Sequence, residues 1–506
     1  MGAQFFTGID YLLSLHIILL TLFALGVLII DLMVPAQWKW IDAATAFAGI
    51  LFAAGGLWRI QTEQAEFLLQ GRRVEWAFTH SMLMDHFAIY FSYLFLAGAG
   101  IAILMSVRYL EIEREHHGEF YSLILFAVIG MMVMASGYDI VLLFIGLELM
   151  AISSYVLVGF LRSDKRSNEG ALKYLLLGAF SSGIFAYGLS LLYGLTGSTN
   201  LVNIGLGAQR ILTTHHNHAT PILAVALFTT SVGLLFKIGA VPFHQWLPDA
   251  YEGAPTNVTG FMSVAVKAAG WALLLRILIW GLYPLRRSYL PMLVVVSILT
   301  MTTANLAAIT QHNLKRLLAY SSIAHVGYML LGLVAFASVD YPSPAMTDAL
   351  RGILLYLLVY TFMNLGAFAV VTSLRQRNVI GDEIDDIAGL FSRAPTEAVL
   401  MLIFLLSLAG IPPLAGFYGK YFIFLSLMES GHYMLGAAAV LYSVVGLYYY
   451  MRIANAMFMR EATDKNRLPI SVGMRLALGV SALATVYIGI FPERFIKLVT
   501  WSVGMS

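Results

Sequence analysis

Apolar residues run along this chain in blocks of about 20, the length a helix needs to cross a hydrocarbon core about 30 Å thick, separated by short polar connections. About fourteen such blocks fall near 11–32, 41–60, 83–106, 119–134, 138–161, 169–194, 219–241, 257–280, 289–311, 316–337, 348–374, 395–427, 432–456 and 470–491. The pattern predicts an all-α polytopic membrane protein. No basic residue precedes the first block and no small-residue cleavage site follows it, so it reads as a retained helix with the chain starting near Met1.

Composition agrees with that reading. Of 506 residues, 59% are hydrophobic and 11% charged, where a soluble domain carries roughly 25% charged residues. Thirty basic residues against 28 acidic ones leave +2, scattered along the chain, which excludes a nucleic-acid surface. Cysteine is absent, excluding disulfides, iron–sulfur clusters and thiolate zinc sites. Counting Lys and Arg in alternate connections gives roughly 15 against 9, with Arg162, Lys165, Arg166, Lys315, Arg316, Arg460, Lys465 and Arg467 on the richer side. That side is expected inside, and both termini outside. The polar stretch from Thr196 to Thr220, with His215, His216, Asn217 and His218, reads as a solvated connection sooner than a metal site.

Two blocks are interrupted in matching ways. One contains Lys237-Ile238-Gly239-Ala240-Val241-Pro242; the other contains Gly410-Ile411-Pro412-Pro413-Leu414-Ala415-Gly416, with Lys420 close behind. Glu148 and His325 are separated by a similar offset, which suggests two inverted repeats, each holding a discontinuous helix, as in transporters whose ion path lies near the midplane. Residues 1–118 then form N-terminal helices, 119–285 and 286–456 the two repeats, and 457–506 a terminal helix. The competing reading is that proline and glycine merely kink packed helices.

A charge at the centre of a spanning helix costs roughly 2.5 to 3.5 kcal/mol, so one that persists needs a partner, a wet cavity or a task. Glu148, Lys237, Lys267 and Lys420 all lie in that position, and opposite signs suggest that Glu148 and Lys237 form a buried pair. Burial favours the neutral form of an amine, which suits a lysine to release and recapture protons; each also has the plainer reading of a structural ion pair or a side chain reaching the interface. Lys173, one turn after Glu169, is a weaker candidate, because an i, i+4 pair explains it. His244 and His325 titrate in the range of a proton relay or serve as neutral core residues. Asp31 and Asp85 fall at expected helix ends and read as caps; Asp382, Glu383, Asp385 and Asp386 read as a solvated charge run. A haem carrier would need paired axial histidines, and His16, His86, His244 and His325 show no such pairing.

The segment from Phe236 through Lys237, Pro242, His244 and Trp246 to Thr256 closely resembles the seventh-to-eighth helix region of the antiporter-like membrane subunits of respiratory complex I. Asn313-Leu314-Lys315-Arg316-Leu317-Leu318-Ala319-Tyr320-Ser321-Ser322-Ile323-Ala324-His325 and Gly410-Ile411-Pro412-Pro413 extend the likeness over nearly the whole chain. Within that family, Tyr251-Glu252-Gly253-Ala254-Pro255 and lysine at 420 narrow it to one branch. The resemblance implies proton translocation by a subunit of a NADH:quinone oxidoreductase, a translocase of the bacterial cell inner membrane. It implies that Glu148 and Lys237 are the coupled pair, Lys267 the central relay and Lys420 the exit lysine, with His244 and His325 on the polar axis. It also implies that NAD, FMN, iron–sulfur clusters and quinone belong to partner subunits, including a neighbouring antiporter-like subunit and small membrane subunits. The alternative is a subunit of a multisubunit cation/proton antiporter or of a membrane-bound hydrogenase.

Overall fold

The computed structural model describes residues 7–214, 220–340, 342–375, 382–462 and 470–504. The histidine run at 215–218 and the basic residues Lys465 and Arg467 lie outside the described residues. Among those described, thirteen helices are long and apolar enough to cross a membrane. In chain order they and four of the shorter helices are α1 (Leu15–Met33), α2 (Trp40–Leu69), α3 (His86–Glu113), α4 (Gly118–Ser136), α5 (Ile140–Val158), α6 (Lys165–Thr196), α7 (Leu201–Thr214), α8 (Pro221–Ile238), α9 (Trp246–Gly253) and α10 (Thr256–Gly281). They continue with α11 (Tyr283–Thr310), α12 (Leu314–Ser338), α13 (Pro344–Leu374), α14 (Pro395–Ala409), α15 (Ala415–Glu429), α16 (Tyr433–Met459) and α17 (Val472–Ile490). The expected block at 395–427 is two half-helices, α14 and α15, which together make a fourteenth passage.

Local chemistry sets the helix ends. Asp139, Asp164, Thr220, Asn313 and Ser471 cap helix starts by accepting from first-turn amides. Gly239 and Gly410 end α8 and α14 with φ of +76° and +87°, a region closed to most side chains. Five passages run from α4 to α10 and five from α11 to α16. Because five is odd, the second set enters from the opposite side, so the two sets are inverted.

Contacts between connections agree with that parity. On one face, the hairpin Trp76–Ala77/Met82–Leu83 bridges Gly137, and Asp139 bridges Asn200. On the other, Asn313 bridges Glu383, Arg375 pairs with Glu113 at 2.7 Å and Arg460 pairs with Asp385 at 2.5 Å. The acidic run at 382–386 is therefore not uniformly solvated. Asp382 is 4% exposed and lies 3.7 Å from Lys315 and 3.8 Å from Arg166, because the backbone of Leu314 ties that loop beneath α12. The helices α10 and α12 are almost wholly enclosed, with 94% of their most apolar stretch buried, against 22% for α1. The axis of the molecule is thus α10, α12 and α13, and the outer helices keep apolar faces outward.

Candidate functional site

Lys237 ends α8 and is 3% exposed. Among the described residues its ammonium has no hydrogen-bond partner, and it sits 5.5 Å from the Tyr155 ring centre and 5.9 Å from that of Phe236. Two weak attractions hold it there: the aromatic faces and the partial negative charge at a helix C-terminus. The direct pair expected with Glu148 does not form, and Glu148 Oε1 is likewise buried without a partner. Helical phase explains this. Glu148 falls in the stripe Val141, Ile145, Ile152 and Val156, the outward face of α5, so the residue is half-buried with Oε1 covered, while the Tyr155 ring faces the ammonium.

Lys237 packs beside Gly270 of α10, where an added Cβ would lie 3.4 Å from the Lys237 backbone and Cβ. One turn back on α10 is Lys267, 2% exposed and directly after a π-helical turn, Met262–Val266. Such turns often occur at functional sites. Lys267 Nζ donates to the hydroxyl of Ser322 and, at 3.2 Å, to its carbonyl. Ser322, His325 and Tyr328 follow one another at three-residue spacing along one face of α12. His325 Nδ1 meets the Tyr356 hydroxyl at 2.5 Å and Nε2 the Tyr450 hydroxyl at 3.0 Å, while Tyr450 also meets the Ser321 hydroxyl at 2.5 Å. Lys420 lies beyond, its ammonium 4.9 Å from the Tyr328 ring centre and donating to the Ala409 carbonyl at 2.8 Å. One helix face thus joins the central lysine to the lysine after the second break.

Each break borders a cavity on the rim. Pro242, Phe243, Gln245 and Phe180 line one of about 310 Å³; Gly410, Lys420, Tyr421 and Ser443 line one of about 240 Å³. Pro412 and Pro413 form the turn between α14 and α15. His244 is half-buried just after Pro242 and, among the described residues, makes no hydrogen bond to the lysines or hydroxyls above. Lys173 is set apart from the axis: it pairs with Glu169 at 2.7 Å and Asp249 at 2.9 Å near the Arg375 face. Sequence reasoning passed over Tyr155, Ser322, Tyr328, Tyr356 and Tyr450, although the three-residue spacing of Ser322, His325 and Tyr328 was there to see. It also passed over Arg276, which is fully buried, bonds both oxygens of Asp85 at 2.8 and 2.5 Å, and donates to the Ala135 carbonyl. Asp85 does cap α3, through Ala88, as expected.

Two interrupted helices in inverted sets, with buried lysines beside the breaks, define an antiporter-like membrane subunit. Residues 137–446 match the family model described as NADH:quinone oxidoreductase/Mrp antiporter, TM. The chain is 62% identical over 501 residues to NADH-quinone oxidoreductase subunit N 1 of Koribacter versatilis, covering 98% of this chain and 96% of the relative. It is 39% identical over 507 residues to subunit N of Trichlorobacter lovleyi, covering 99% of each. A chain of respiratory complex I from Thermus thermophilus superposes with a TM-score of 0.77 at 30% identity, covering 96% of this chain and 99% of that one. A chain of the Mrp complex from Dietzia superposes with a TM-score of 0.83 at 21% identity, a likeness of fold alone, over 98% and 97% of the two chains. The chain belongs to the NADH-quinone oxidoreductase subunit N family.

Proposed function

We propose that this chain moves protons across the bacterial inner membrane as subunit N in the membrane arm of a NADH:quinone oxidoreductase, with the Arg375–Glu113 face toward the cytoplasm. NAD, FMN, iron–sulfur clusters and quinone belong to other subunits, and this chain carries protons without electrons. The observation that carries the reading is the row Lys237, Lys267, Ser322, His325 and Lys420, buried from break to break, with one face of α12 joining Lys267 to Lys420. Residues 119–285 and 286–456 act as the two half-channels. Glu148 and Lys237 set the charge at the entrance, Lys267 and His325 relay it, and Lys420 releases it. The outward placement of Glu148 suits completion by a neighbouring membrane subunit. Moving one charge against 100 mV costs about 2.3 kcal/mol, comparable with the roughly 2.5 to 3.5 kcal/mol that a charge at the centre of a spanning helix costs on insertion scales.

The test is quinone-dependent NADH oxidation and proton pumping in membrane vesicles, with the native chain compared with Lys237→Ala and Lys420→Ala. The reading expects both activities to collapse together while the complex remains assembled. Intact NADH oxidation with loss of sodium or proton exchange alone would replace it with the antiporter reading.

A further inference from the structure

Near the Arg375–Glu113 face, an alternating chain of charges runs from one repeat to the other. Asp249, on α9, accepts two cations at once: Lys173 of α6 at 2.9 Å on one oxygen and Arg316 of α12 at 2.7 Å on the other. Each cation keeps a second carboxylate, Glu169 for Lys173 and Glu252 for Arg316, both at 2.7 Å. These groups and Arg166 line a cavity of about 200 Å³. The side chains of Lys173, Asp249 and Arg316 are 44%, 30% and 28% exposed, so each bond is weak. Either arm of Asp249 therefore opens at small cost and strands no cation.

Both ends of the Lys173–Asp249 bond adjoin the aromatic wall around Lys237. Trp246, one turn before Asp249, stacks on Tyr174 at 4.2 Å and donates its indole N–H to the carbonyl of Phe236, the residue before Lys237. Tyr174, next to Lys173, meets Tyr155 edge-on at 4.5 Å, and Tyr155 faces the ammonium of Lys237. The two breaks correspond as well. The residue seven places after Pro242 is Asp249, and the residue seven places after Pro413 is Lys420.

We propose that Asp249 is a positioning residue for the proton step at Lys237: it keys α9 and Trp246 to α6 and α12, and so links the first lysine to the helix carrying Ser322 and His325. This rests on the reading of Lys237 as a proton carrier.

The experiment measures NADH oxidation and proton pumping per assembled complex in vesicles. Asp249→Asn is expected to lower both rates per complex by about fivefold, and Asp249→Glu to restore most of each. Lys173→Gln, at a side chain 44% exposed, is expected to lower both by about twofold, and it decides the matter if Asp249→Asn fails to assemble. Loss of oxidation and pumping in proportion to complex content would make Asp249 merely structural and overturn the inference. Unchanged rates per complex in Asp249→Asn and Lys173→Gln, with Lys237→Ala inactive, would overturn the inference and leave the reading of Lys237 standing. Normal pumping by Lys237→Ala would overturn both.

Discussion

At the first break the chain leaves α8 at Gly239 and resumes helix at Trp246; at the second it leaves α14 at Gly410 and resumes at Ala415. Both glycines take the left-handed conformation, and both breaks satisfy a buried backbone N–H with a hydroxyl. The hydroxyl differs. Val241 N donates to Thr300 of α11, in the other repeat, at 3.0 Å, whereas Gly416 N donates to Ser407 of its own α14 at 3.1 Å. The lysines differ too. Lys237 belongs to the last turn of α8, while Lys420 lies on α15 and reaches back to the last residue of α14. Both ammoniums end beside the C-terminus of the first half-helix, where unpaired carbonyls gather. Lys420 has taken a carbonyl; Lys237 has taken none. The same backbone device thus leaves one cation locally satisfied and the other facing the rings of Tyr155 and Phe236.

Removing the two cations is the hardest test of that contrast. Lys237→Met and Lys420→Met are each expected to lower proton pumping at least about tenfold, since under the proposed function each breaks the row at a lysine with no substitute. Their stabilities should diverge. Lys237→Met removes a buried charge without a hydrogen-bond partner and should hold or raise the thermal midpoint of the detergent-solubilised complex. Lys420→Met leaves the Ala409 carbonyl without its donor and should lower stability by about 1 to 3 kcal/mol. A Lys237→Met complex less stable than Lys420→Met would end the distinction.

The hydroxyls come next. Thr300→Val and Ser407→Ala each leave a buried N–H unmet, at about 1 to 3 kcal/mol, read as a fall in the same midpoint. Only Thr300→Val cuts a tie between the repeats, so it alone should also lower NADH oxidation and pumping per assembled complex. Equal pumping losses in the two variants would show that the cross-repeat bond has no role of its own.

What could be read from the chain beforehand follows the same physical lines. Fourteen passages were legible because a bilayer imposes one length on apolar runs, and both breaks because proline and glycine inside such runs are costly without compensation. Lys237, Lys267 and Lys420 stood out because an ammonium at that depth is expensive. Their surroundings did not. Lys267 meets Ser322 and His325 meets Tyr450 across long stretches of sequence, and a tyrosine in an apolar helix reads alike whether it faces lipid or the axis. Glu148 is the instructive error: opposite sign suggested contact with Lys237, but counting the phase of α5 against Val141, Ile145, Ile152 and Val156 would have put it on the outward face. Asp382 misled in the opposite way, since an acidic run looks solvated until the loop carrying it is tied under Lys315.

The smallest effect makes the sharpest comparison, because one substitution can be made in both halves. Tyr155 and Tyr450 are both buried beside a titratable group, yet the Tyr155 hydroxyl has no partner, while that of Tyr450 meets both His325 and Ser321. Tyr155→Phe keeps the ring that faces Lys237 and removes a hydroxyl that bonds nothing, so the thermal midpoint and pumping should stay near native values. Tyr450→Phe removes two hydrogen bonds but leaves His325 its bond to Tyr356, so stability should fall by about 1 kcal/mol and pumping by about twofold. If Tyr155→Phe proves the more damaging, its hydroxyl bonds Lys237 or Glu148 during turnover, and the first half works through a polar contact and not through the face of a ring.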